Sequence, residues 1–75
     1  MDYRDYIESN SEIMLGKPVI KGTRITVALI LKKLSEGAKH EDIISGYPAI
    51  TAPAINAALA YASDVVANET LISAA

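Results

Sequence analysis

The residues best suited to chemistry lie between Gly16 and Thr26, which read GKPVIKGTRIT. Lys17, Lys21 and Arg24 stand close together there, on a stretch stiffened by Pro18 and expected to bend at Gly16 and Gly22. An extended segment alternates its side chains, so Lys17, Val19 and Lys21 are expected on one face and Pro18 and Ile20 on the other. A basic edge on a stiff turn suits an anionic partner. The plainer alternative is an arm that covers the core and carries its lysines for solubility. Gly16 to Thr23 has some likeness to a phosphate-binding loop. Its glycines are wrongly spaced, threonine follows Gly22, and no long strand precedes it. The single histidine, His40, has no cysteine to activate, and no arrangement marks a serine as a nucleophile. Glu41 and Asp42 are adjacent and diverge around a helix. No His/Asp/Glu cluster has metal-ligand spacing. The expectation is a chain that is not an enzyme and uses no cofactor or metal.

These side chains need a frame. Thr26 is a good N-cap, Ile25 and Ile30 are spaced as a hydrophobic staple, and Val27, Ile30, Leu31 and Leu34 recur at helical spacing. The pattern predicts a helix over 27–36, stopped by Gly37. Lys32 and Lys33 lie off its apolar stripe, near the negative helix end. A second helix is expected over 40–45, with Glu41 and Asp42 in its first turn, although neither Lys39 nor His40 is a preferred cap. Gly46-Tyr47-Pro48 ends it. A third helix is expected over 52–66, with Thr51 as N-cap, Pro53 in the first turn and Ile50 and Ile55 as a second staple.

That third helix is apolar on two faces. Ile55, Ala58, Leu59, Ala62 and Val66 form one stripe, and Ala54, Ala57 and Tyr61 form another of smaller side chains. Such a helix is either central or at an interface. In so short a chain the expectation is an interface, with Ala54, Ala57 and Tyr61 meeting a second copy or another protein. Alanine's helix propensity is the plainer account. Residues 1–25 read as an arm with short strand pieces and a basic turn, 26–67 as a helical core and 68–75 as a tail. Together they make one domain.

The 75 residues suit a single small domain, and 51% of them are hydrophobic, so apolar surface is expected to remain for self-association or a partner. No cysteine is present for a disulfide or a thiolate metal site. No segment resembles a signal peptide or approaches the roughly 18 apolar residues of a membrane span. A cytoplasmic protein is the default. The net charge of −2 hides −3 over residues 1–15, +5 over 16–40 and −4 over 41–75. A basic middle between acidic ends is a hint about partners that the average conceals.

Three helices with a tight connection at 46–50 suggest an all-α helix-turn-helix architecture with a short N-terminal β arm. In a DNA reader the helix after that turn would enter the major groove. Its start offers Thr51, Ala52, Ala54 and Asn56, of which only Asn56 could pair bidentately with a base. If nucleic acid is bound, the candidate phosphate contacts are Lys17, Lys21, Arg24, Lys32, Lys33 and Lys39, and binding would fall steeply with salt.

The runs GKPVIKGTRITVALILKKLSEG, EDIISGYPAIT and INAALAYA together resemble the DUF433 family of small prokaryotic proteins, over about residues 7–62. The signature falls on Gly16, Lys17, Pro18, Ile20, Gly22, Thr23, Arg24, Ile25 and Val27, then on Gly37, Tyr47, Pro48 and Thr51. The resemblance implies a homeodomain-like helical domain, usually dimeric. It also implies an antitoxin paired with a PIN-like ribonuclease toxin, whose dimer would bind its own operator DNA. Pro53 and Ala54 stand where the family often has acidic residues, which makes the start of the last helix more apolar. Two other readings stand beside this one: a DNA-binding regulator with no toxin, and a purely structural dimerisation module. Arg24 is either a partner contact or half of a buried charge pair.

Overall fold

A computed structural model describes residues 2–68. The chain forms a two-stranded antiparallel sheet, β1 (Ile7–Glu8) and β2 (Val19–Ile20), and three helices, α1 (Val27–Ser35), α2 (His40–Gly46) and α3 (Ala52–Ala67). Single 3-10 turns precede each strand, at Tyr3–Asp5 and Met14–Gly16. The expected arm, three helices and boundaries agree with this to within a residue or two. Of the tail expected over 68–75, only Asn68 is within the described residues.

Local chemistry explains the helix starts. The Thr26 hydroxyl accepts the Leu29 N–H at 3.1 Å, and the Thr51 hydroxyl accepts the Ala54 N–H at 3.3 Å. Each such cap contributes about 1 kcal/mol. α2 has no good N-cap side chain, and Asp42 compensates from inside the helix: its carboxylate accepts the Lys39 N–H at 2.8 Å. Gly37 ends α1 with φ of 98°, a conformation that only glycine adopts without strain.

β2 departs from simple alternation. Val19 and Ile20 are both buried, so Val19 does not share a solvent face with Lys17 and Lys21. β2 is also bonded along both of its edges. Glu8 pairs with Val19 on one side, and on the other Val19 bridges to Thr26, with the Ile20 N–H donating to the Ile25 carbonyl at 3.0 Å. Ile20 joins the core, and Val19 is 0% exposed, so neither face is wet at these two positions. The core gathers Ile7 and Ile20 from the arm, Val27 and Ile30 from α1, Ile43 from α2, Ile50 from the connection, and Ala54, Ile55, Ala57 and Ala58 from α3.

Candidate functional site

The six basic residues of the middle segment split between the two ends of α1. Lys17, Lys21 and Arg24 belong to the turns around β2, before the helix begins. Lys32, Lys33 and Lys39 stand at its last turn and at the start of α2. A helix of this length, rising about 1.5 Å per residue, puts roughly 13 Å between the groups. Lys33 is half-buried and the other five are exposed.

The turn holding Lys21 and Arg24 is built by hydrogen bonds. The Thr23 hydroxyl donates to the Ile20 carbonyl at 2.8 Å and accepts the Ile25 N–H at 3.0 Å. The Gly22 N–H donates to the Glu8 carboxylate at 3.1 Å, and the Lys21 N–H to the Tyr6 carbonyl at 2.8 Å. Gly22 has φ of 77°, which suits glycine. Among the described residues the one ion pair is Arg4 with Asp2, at 3.1 Å. None of the six middle cations therefore has a carboxylate within ion-pair distance there. Arg24 is exposed and makes no buried charge pair.

α3 corrects the expected interface. Ala54 is 3% exposed and Ala57 0%, both covered by the same chain, so neither offers a face to a partner. Small side chains do let another element approach closely, but the approaching elements are α1, α2 and the N-terminal arm. Tyr61 is half-buried and meets the Tyr3 ring edge-on, with centroids 5.4 Å apart. The Tyr3 hydroxyl donates to the Asp64 carboxylate at 2.7 Å. This clasp spans nearly the whole chain, so no sequence spacing signals it. The apolar surface that α3 does expose lies elsewhere, at Leu59, Val65 and Val66.

The clasp gives a pH prediction. The bond to Asp64 pushes the Tyr3 phenol above its ordinary value near 10, with burial and the same carboxylate's charge adding to the shift. A group whose folded-state value is raised stabilises the fold below its unfolded value, and that contribution is lost as pH rises through the folded one. Wild type should therefore melt above Tyr3→Phe at pH 8, and the gap should close well above pH 10. Melting curves of the two proteins across that range check it.

Three further features bear on function. His40 Nε2 donates to Asn56 Oδ1 at 3.0 Å, which engages the side-chain oxygen of the one residue at the start of α3 that could pair bidentately with a base. A cavity of about 390 Å³ opens between α1 and α2, lined by Lys33, Ala38, Asp42, Ile43, Gly46 and Tyr47. Leu15, in the turn before β2, is 92% exposed. Its only sequence signal is an apolar pair just before Gly16. Among the described residues no group of three or more His, Cys, Asp or Glu side chains is placed to hold a metal ion, and no helix is long and apolar enough to cross a membrane.

The family model described as "Protein of unknown function (DUF433)" matches residues 7–62. Among solved structures, a DUF433 member protein from Anabaena variabilis ATCC 29413 is similar, with a TM-score of 0.77 and 26% sequence identity. The match covers 81% of this chain and 60% of that one, so the chain spans under two thirds of that relative's length. No curated protein matches the chain.

Proposed function

The chain belongs to the DUF433 family, and on that premise we propose that it is a non-enzymatic, dimeric, helix-turn-helix-like antitoxin of the cytoplasm that binds the carboxylate-rich surface of a PIN-like ribonuclease. The observation that carries this reading is the set of six cations on the middle segment, none held by a carboxylate among the described residues. Unpaired charges of one sign attract a partner of the other sign and raise its association rate. The exposed Leu59, Val65 and Val66 of α3 offer apolar surface for the same partner. A protein partner is favoured over base reading because Asn56 is already engaged by His40 and α3 begins with Thr51, Ala52, Pro53 and Ala54, none of them basic.

The test is titration of the full chain with a PIN-like nuclease, read by calorimetry and by association kinetics, and in parallel with duplex DNA. Binding and inhibition of the nuclease are expected. Replacing Lys21, Arg24 and Lys32 together by alanine should weaken binding by about 10-fold, mostly through slower association. No nuclease binding, with tight and steeply salt-dependent DNA binding instead, would make the protein an operator-type regulator. No binding to either would leave a structural module.

A further inference from the structure

We infer that two copies of the chain pair by each seating its Leu15 in the cavity between α1 and α2 of the other. This rests on the dimer reading and gives it an interface. The first observation is a strained prong. Met14 and Leu15 have φ of 49° and 58°, and Gly16 follows at 83°, so three successive residues are left-handed. Large side chains rarely adopt this conformation, and two in a row are costly. The turn is held by its own backbone: the Ile13 N–H donates to the Asn10 carbonyl at 2.8 Å, that of Gly16 to Ile13 at 3.0 Å and that of Lys17 to Met14 at 3.1 Å. Its result is that Leu15 stands 92% exposed, with Met14 39% exposed beside it. Nothing among the described residues covers what the strain displays.

The second observation is a matching socket. The cavity of about 390 Å³ has apolar walls from Ala38, Ile43 and Tyr47, and Gly46 lines it as well. A Cβ at Gly46 would meet no atom within 4 Å. The space accepts a leucine side chain, and the exposure of Leu15 shows that it does not enter the cavity of its own chain. The charges also correspond. Glu12 and Lys17 flank the prong in sequence and Lys33 and Asp42 line the socket, so each side offers one charge of each sign, and the proposed pairing sets Glu12 against Lys33 and Lys17 against Asp42. Reciprocal exchange is isologous: prong meets socket twice and the assembly closes at two copies.

Sedimentation equilibrium of the full chain, up to millimolar concentration, tests this. Wild type should be a monomer–dimer system. Leu15→Ser and Gly46→Leu, one lacking the prong and one filling the socket, should each weaken pairing by about 10-fold or more per contact. Both changes lie at open surface, and circular dichroism confirms the fold. Mixing the two variants should restore a one-contact heterodimer that neither forms alone. Glu12→Lys should weaken pairing, and adding Lys33→Glu to it should restore pairing, a reversal that removes no apolar contact. If wild type dimerises but these variants pair as wild type does, the interface is overturned and the dimer reading stands. If wild type stays monomeric throughout, both fall.

Discussion

Replacing Ala57 with aspartate is expected to unfold the domain. Ala57 is 0% exposed and lies in a core with Ala54, Ile55 and Ala58 on its own helix. No basic side chain belongs to that cluster, so the new carboxylate would be buried without a partner. An uncompensated buried charge costs about 3–5 kcal/mol, and the added volume in a close-packed site costs about 1–3 kcal/mol more. A 75-residue domain has a total stability of only about 4–11 kcal/mol. The measurement is the far-ultraviolet circular dichroism of the variant and its urea transition. A folded variant with a near-normal midpoint that had lost a partner or a second copy would put Ala57 on an open face and contradict the packing described above. The control is Val66→Asp on the same helix: Val66 is 65% exposed, so its effect on stability should stay within about 0.5 kcal/mol.

That contrast also shows what the sequence could and could not reveal. Helix starts are local events. Thr26, Thr51 and Gly37 act through neighbours three or four residues away, so their types and spacing placed α1 and α3, while Glu41, Asp42 and the Gly46-Tyr47-Pro48 stop placed α2. The orientation of α3 is different. Its two apolar faces carry similar side chains, and spacing alone does not decide which one turns inward. Alanine stripes signal close approach by something, but the approaching element can be the same chain. Here the arm and two helices fill the place expected for a partner. β2 misled for a related reason. Period-two alternation holds for a strand with one wet face, and here the successive residues Val19 and Ile20 are both buried. The basic segment was legible as composition, but its division across the two ends of α1 required the helix to be in place. Leu15 and the cavity were not legible, because each gains meaning only from an exposed backbone turn and from the spacing between helices.

Removing residues 1–8 should lower the melting temperature by more than about 12 °C. The arm is short, but it closes the fold. Ile7 belongs to the core and is 8% exposed, and Tyr3 and Tyr6 pack against the core. Among the described residues β1 is the only strand paired with β2, and the Tyr6 carbonyl and Glu8 carboxylate hold the Lys21–Gly22 turn. Losing a buried isoleucine alone costs about 2–5 kcal/mol. The edge-on contact of Tyr3 with Tyr61 adds about 0.5–1.5 kcal/mol. Each kcal/mol is worth about 4–8 °C in a domain of this size. The truncated chain would also bare Tyr61 and the adjoining α3 surface, so it should associate more strongly than the full chain. Calorimetric melts at several protein concentrations read both effects. If the truncated chain melted within a few degrees of the full one, the arm would be an ornament, and some other contact would have to be covering α3. A large loss that Ile7→Ala reproduces only in part would instead locate the closure in the whole arm: strand pairing, tyrosine clasp and isoleucine together.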